Sequence, residues 1–261
     1  TIANQKGGVG KTTSAVNLAA ALASRGLGVV VIDLDPQGNA STALGVDHRS
    51  GVPSSYELLI GEVDLADAIH QSPHNDNLYC VPATIDLAGA EIELVSMVAR
   101  EGRLKGAISD EDLDKFDIDY VLIDCPPSLG LLTVNALVAA REVLLPIQCE
   151  YYALEGVGQL LRNIELVQAH LNPSLHVSTI LLTMYDGRTK LAGQVADEVR
   201  NHFGEVVLKT VIPRSVKVSE APGYGLTVME YDPASRGAMS YLDAGREIAE
   251  RGVTMVKPRE Q

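Results

Sequence analysis

The eight residues Lys6-Gly7-Gly8-Val9-Gly10-Lys11-Thr12-Thr13 constrain this chain more than any other stretch. They follow a short apolar segment, residues 1–4, that reads as part of a strand. They precede an alanine-rich stretch, residues 11–24, with helical spacing and Gly26 just beyond it as a stop. Strand, glycine loop and helix in that order make an anion nest: glycines let successive backbone N–H groups turn inward, and the helix N-terminus adds its partial positive charge. In such a loop Lys11 reaches the β- and γ-phosphates of a nucleotide and the Thr12 hydroxyl ligates Mg2+. The loop departs from the usual G-x-x-x-x-G-K-[ST] pattern at its first glycine, where Gln5 stands, and a second lysine, Lys6, precedes the glycine pair.

Apolar runs bounded by turns alternate with helical-period stretches along the whole chain, which is the pattern of an α/β protein with a mostly parallel, twisted sheet and helices on both faces. Strands are predicted at residues 28–33, 78–82, 119–124, 142–147 and 176–183, together with the partial strand 1–4. Helices are predicted at 11–24, 87–100, 154–171, 191–202 and 235–251, each with apolar residues three and four apart. No repeat, low-complexity tract or Gly/Ser linker divides the chain, so residues 1–261 are expected to form a single domain. Thr1 stands inside a predicted strand, which predicts further residues upstream. Residues 187–193 and 213–225 are the most turn-rich late segments.

A phosphate loop that binds Mg-nucleotide needs carboxylates at the carboxyl ends of neighbouring strands. Two places supply them. The strand 119–124 ends in Asp124-Cys125-Pro126-Pro127, with the apolar lead-in of an aspartate that holds metal through water. The strand 28–33 runs into Asp33-Leu34-Asp35-Pro36-Gln37-Gly38, delivering two carboxylates into a Gly/Pro loop. Cys125, without a ligand-spaced partner, reads as a small buried residue rather than a nucleophile.

Composition narrows the remaining classes. The 21 Lys+Arg against 34 Asp+Glu give a formal charge of -13, which argues against a nucleic-acid coat protein or a basic membrane-surface binder and leaves room only for a local basic patch. Aromatics make up 4% of the chain, too few for a single-strand stacking groove, so nucleic-acid contacts are expected at phosphates. Cys80, Cys125 and Cys149 are odd in number and in no C-x-x-C spacing, so neither a disulfide framework nor a zinc site is indicated, and the expected compartment is reducing. There is no signal-peptide pattern and no apolar run long enough to span a bilayer.

Three motifs taken together, Asn4-Gln5-Lys6-Gly7-Gly8-Val9-Gly10-Lys11-Thr12-Thr13, Asp35-Pro36-Gln37-Gly38-Asn39 and Asp124-Cys125-Pro126-Pro127-Ser128, closely resemble those of the ParA/Soj chromosome-partitioning ATPases, P-loop NTPases of the deviant Walker A class. The likeness continues through residues 150–156, 182–189 and 211–214 and so covers nearly the whole chain. The resemblance implies ATP and Mg2+ as cofactors, held by Lys6, Gly7, Gly8, Val9, Gly10, Lys11, Thr12 and Thr13, with Pro213 and Arg214 also at the nucleotide. It implies Thr12 and Asp124 as the metal-binding pair and Asp35 as the residue that orients the hydrolytic water. Lys6 is then the signature lysine, which crosses an ATP-bound dimer interface to the partner's phosphates. Physics adds a reason for that lysine: two triphosphates facing each other repel, and a lysine from each subunit offsets the charge. The implied cycle is an ATP sandwich homodimer that binds double-stranded DNA without sequence preference, with a ParB-type partner stimulating hydrolysis and release, in the cytoplasm on the nucleoid.

Residues 186–220 carry six Lys/Arg against five Asp/Glu, a local excess of positive charge in an acidic chain. The resemblance places Arg188 and Lys217 at DNA phosphates, with Lys190 and Arg214 as neighbours. Other classes share the loop. MinD-like membrane ATPases finish in a basic amphipathic helix, whereas residues 251–259 here are broken by Gly252 and Pro258. The nitrogenase iron protein needs two cysteines per subunit for a shared cluster, and the surroundings of Cys125 and Cys149 do not match it. A P-loop biosynthetic ligase would need a small-molecule pocket that no motif marks. No N-K-x-D guanine motif is present, so ATP over GTP rests on the resemblance.

Overall fold

The computed structural model describes residues 1–151 and 157–255. Among the described residues seven strands form the sheet: β1 (Gly28–Asp33), β2 (His70–Gln71), β3 (Leu78–Val81), β4 (Ile118–Asp124), β5 (Glu142–Gln148), β6 (His176–Tyr185) and β7 (Val207–Pro213). They fall into two runs, β2-β3-β1-β4 and β5-β6-β7, and all neighbours are parallel except the antiparallel β2–β3 pair. The N-terminal segment closes the gap between the runs. Ile2 bridges both Asp124 and Leu144, its N–H bonding the Ile123 carbonyl at 2.8 Å while the Leu144 N–H bonds the Thr1 carbonyl at 2.8 Å. The segment leading into the glycine loop therefore lies at the centre of the sheet, and parallel pairing turns the carboxyl ends of β1, β4, β5, β6 and β7 to the same edge as that loop.

Helices cover both faces because the strands have two buried sides. Every residue of β1 is buried, and its alternate side chains go to different cores. Val30 and Ile32 join the apolar faces of the helices Leu87–Ser96, Leu131–Ala139, Val157–His170 and Lys190–Phe203. Val29 and Val31 join the helix Lys11–Ala23 on the other side, where Leu18 also meets Tyr241 of the long helix Arg236–Met255. The alanines of Lys11–Ala23 allow that helix pair to approach closely; a Cβ on Gly245 would come within 2.8 Å of the Ala21 methyl.

The predicted strands and helices recur with shifted ends and some additions. Helix 87–100 ends at Ser96, since Met97 turns extended and Ala99 takes a left-handed φ of 53°. The C-terminal helix runs through Gly252 to Met255 rather than stopping at Arg251: Gly252 packs under the Tyr120 hydroxyl, and serves close approach rather than termination. Residues 187–193, read as a turn, hold the start of helix Lys190–Phe203, with the Thr189 hydroxyl accepting the Ala192 N–H. Residues 213–225 contain the helical turns Val216–Glu220 and Ala221–Tyr224. The strand β7 was not legible because it is an edge strand with an exposed Lys209 and broken alternation. Glu247 covers that edge, accepting the N–H groups of Lys209 and Thr210 at 2.9 and 3.2 Å. The predicted helix start at Leu154 and the end of the tail, residues 256–261, lie outside the described residues. Among the described residues no helix is long and apolar enough to cross a membrane.

Candidate active site

The loop is shaped by two left-handed glycines, Gly8 at φ 72° and Gly10 at φ 89°. An L side chain at either position would be strained, and Gly10 is the residue on which helix Lys11–Ala23 starts. Side chains from elsewhere anchor the loop. The Thr183 hydroxyl on β6 donates to the Val9 carbonyl at 2.9 Å, and the Asn4 amide donates to the Pro146 carbonyl at 2.8 Å while its oxygen accepts the Lys6 N–H at 3.0 Å. The Asn4 turn is a local Asx pattern that a sequence can show; Thr183 lies 174 residues from Val9 and gives no such signal.

Lys11 is buried, at 7% exposure, and its ammonium donates to the Lys6 carbonyl at 3.2 Å. Burial lowers its pKa from the ordinary lysine value, while Asp124, Cys125 and Asp35 pull the other way. Thr12 and Thr13, half-buried in the first turn of the helix, complete the loop. Lys6 and Gly7 differ from these in being exposed or partly so. The Lys6 ammonium is 3.9 Å from Glu150, and a Cβ on Gly7 would meet nothing within 4 Å.

Strand pairing sets Asp33 beside Asp124, at the ends of β1 and β4. The two carboxylates have different surroundings. Asp33 is fully buried and accepts three hydrogen bonds, from the Ser41 N–H at 2.9 Å, the Ser41 hydroxyl at 2.7 Å and the Asp35 N–H at 3.1 Å. Burial still pushes its pKa up to about 6. This carboxylate is an internal clamp on the loop that carries Asp35. Asp35 itself lies at 9% exposure, and its Oδ1 accepts the Gln37 N–H at 3.0 Å, which aims the side chain from the turn.

Asp124 is fully buried, and neither carboxylate oxygen has a hydrogen-bond partner. Burial drives its pKa well above the carboxylate range, and Asp33 adds to the effect; the Thr12 hydroxyl beside it offsets part of the cost without completing a hydrogen bond. An unpartnered buried carboxylate is costly to charge, and a divalent cation next to it removes that cost. Among the described residues no three His, Cys, Asp or Glu side chains come together as a cage. The donor set therefore fits a cation that takes one or two protein groups and fills the rest of its shell with phosphate and water oxygens, as Mg2+ does. The three cysteines are free and buried, and burial pushes the Cys125 thiol up to about 11, which leaves it unreactive.

The late basic residues reach the same edge at the ends of β6 and β7. Tyr185 pairs with Pro213, and the Arg214 N–H bonds the Tyr185 carbonyl at 3.0 Å. Arg214 is 3.3 Å from Glu150, the carboxylate that Lys6 also approaches. Glu150 therefore links the glycine loop to the end of β7, a connection between distant segments that motif spacing does not reveal. Arg188 and Lys217 are ion-paired on the surface and Lys190 is exposed at the first turn of its helix.

Residues 1–177 match the AAA domain family. Among known proteins, the sporulation initiation inhibitor protein Soj of Bacillus subtilis strain 168 is 53% identical over 251 residues, covering 96% of this chain and 98% of its own. The chromosome partitioning protein ParA of Myxococcus xanthus is 49% identical over 250 residues, covering 96% and 87%. Among solved structures, cobyrinic acid a,c-diamide synthase from Mycobacterium smegmatis, with bound ADP and magnesium, superposes with a TM-score of 0.82 at 39% identity, covering 98% of this chain and 95% of that one. Identity of this order over nearly the full length of its relatives, on a parallel α/β sheet with a glycine loop at its carboxyl edge, makes the chain a member of the ParA/Soj family of chromosome-partitioning P-loop ATPases.

Proposed function

We propose that this chain hydrolyses ATP with Mg2+, pairs with a second copy when ATP is bound, and in that state binds double-stranded DNA without sequence preference. A ParB-type DNA-binding partner then stimulates hydrolysis and release, in the cytoplasm on the nucleoid, to segregate chromosomes or plasmids. The observation that carries the reading is the division of labour in one loop: Lys11 is buried and feels the Asp124 charge, while Lys6 and Gly7, a few residues away, are exposed. Lys11 serves the nucleotide of its own chain. Lys6 is free to leave a long 3.9 Å ion pair, worth little on a surface, for a stronger anion on a facing subunit. Thr12 and Asp124 hold the metal, Asp35 positions water, and Pro213 with Arg214 borders the nucleotide from the end of β7. Bound magnesium supplies charge neutralisation at the phosphates. The ADP and magnesium in the diamide synthase support the cofactor assignment on this fold.

Gly7→Val tests the facing-subunit arrangement. The site has open space within the chain, so the variant is expected to fold and bind ATP normally yet stay monomeric, because the branched side chain obstructs a second loop. Light scattering that shows a full ATP-dependent dimer refutes the interface.

The diamide synthase supports one rival, an ATP-dependent ligase that activates a carboxylate. The partition proteins are nearer, at 53% and 49% identity against 39%. ATP turnover that rises with DNA and a ParB partner, and needs no metabolite, supports segregation; turnover that requires a carboxylic-acid substrate supports the ligase. Reversing both Arg188 and Lys217 to Glu is expected to weaken binding to non-specific duplex at least about 100-fold, since each reversal replaces a phosphate contact by repulsion. Wild-type affinity of the double variant in a filter-binding titration would remove these residues from the DNA contact.

A further inference from the structure

The cations at the ends of β6 and β7 already hold anions. The Arg188 side chain is 88% exposed, yet it grips the Asp186 carboxylate with two bonds, Nε to Oδ1 at 2.9 Å and Nη2 to Oδ2 at 2.8 Å. Asp186 Oδ1 also accepts the Arg188 N–H at 3.1 Å, a turn that keeps the two side chains in register. Lys217 repeats the arrangement on the next strand end: its ammonium is 3.1 Å from Glu220, within one helical turn, and 5.3 Å from the centre of the Tyr231 ring. The Tyr231 hydroxyl donates to the same Glu220 oxygen at 3.0 Å and holds it there. The strand ends that precede the two pairs are joined by the Arg214–Tyr185 backbone bond, and the Arg214 charge also acts on Asp186. The bonds from Arg188 hold the Asp186 carboxyl at about 2, so it is ionised throughout the physiological range.

A guanidinium presents the same planar fork to a carboxylate and to a phosphate. A DNA phosphate arriving at Arg188 therefore meets a site whose best donors are occupied by an anion of matching geometry. We propose that Asp186 and Glu220 are built-in competitors for the phosphates that Arg188 and Lys217 bind, and that they set DNA affinity low enough for release. The inference rests on the DNA-contact reading above and names what regulates that surface. Its logic is electrostatic exchange: each phosphate contact made costs a carboxylate contact broken, so the net gain per cation is smaller than for a free arginine or lysine.

Asp186→Asn and Glu220→Gln test it, because both keep shape and an acceptor oxygen for the Arg188 N–H or the Tyr231 hydroxyl while removing the charge. Binding to a random-sequence duplex is read by fluorescence anisotropy across a salt series, with a non-hydrolysable ATP analogue and Mg2+ present. Each variant is expected to bind about two- to fivefold tighter, the double variant tighter still, and the slope of log affinity against log salt should steepen by up to about one unit per freed cation. Glu62→Gln removes one charge from a loop in the first half of the chain, outside the segment 186–220, and controls for bulk charge. No tightening, or equal tightening by Glu62→Gln, overturns the proposal. Arg188→Ala and Lys217→Ala separate the two readings: if neither weakens binding, the DNA-contact reading itself fails, whereas weakening there without tightening in Asp186→Asn and Glu220→Gln removes only the competitors.

Discussion

Lys11→Ala is expected to lower ATP affinity by about two orders of magnitude or more, with the fold retained. The ammonium is the loop's buried cation and would make charge-assisted hydrogen bonds to phosphate oxygens, which are about twice as strong as neutral ones. Its one hydrogen bond within the loop, to the Lys6 carbonyl, is 3.2 Å long and replaceable by water, so little native structure depends on it. The substitution also removes the positive charge that acts on Asp124 and Asp35, so a triphosphate arriving at that edge meets more negative charge. Isothermal titration measures the affinity and circular dichroism the fold. Wild-type affinity would show that the backbone nest and metal suffice, and that Lys11 has another role.

Asp35→Ala is expected to slow hydrolysis by about 100- to 10,000-fold, the range for removing a positioned acid–base or water-orienting group, while ATP affinity changes only a few-fold. The side chain sits at the end of a turn held from below by the Asp33 clamp, so its position is set by structure that the substitution leaves in place. Asp35→Asn refines the test. It retains an oxygen to accept the Gln37 N–H and removes only the charge, so slow turnover in both variants assigns the effect to the carboxylate. Slow turnover in Asp35→Ala alone assigns it to the shape of the loop. Loss of ATP binding in either would make Asp35 a structural or metal-binding residue. Single-turnover phosphate release distinguishes these outcomes.

The glycine loop, its two lysines and the aspartates at two strand ends were legible because each depends on residues adjacent in the chain. Gly8 and Gly10 are needed where the backbone turns left-handed, Lys11 and Thr12 follow at the helix start, and an apolar run ending in Asp marks a buried strand with its carboxylate at the rim. The parallel α/β class followed from the same periodicity. The roles of Asp33 and Asp35 were not separable that way. The two carboxylates, two residues apart, differ above all because Ser41 folds back onto Asp33 with its N–H and hydroxyl, and that contact is a property of the packed loop. Helix Leu131–Ala139 was not read either, since it is apolar on nearly all sides and carries no amphipathic period.

Local order along the chain thus determined which groups could bind phosphate and metal, because glycine geometry, helix starts and strand ends are set within a few residues. Tertiary structure decided which of those groups are buried, paired or exposed. Parallel pairing brought Asp124 beside Asp33, placed Thr183 over the loop, and joined Lys6 and Arg214 through Glu150. These meetings join segments far apart in the chain, whereas the pairs Asp186–Arg188 and Lys217–Glu220 are local, two and three residues apart. Burial and charge pairing are summed over neighbours in space, so the electrostatic state of each group becomes defined only when the sheet is assembled.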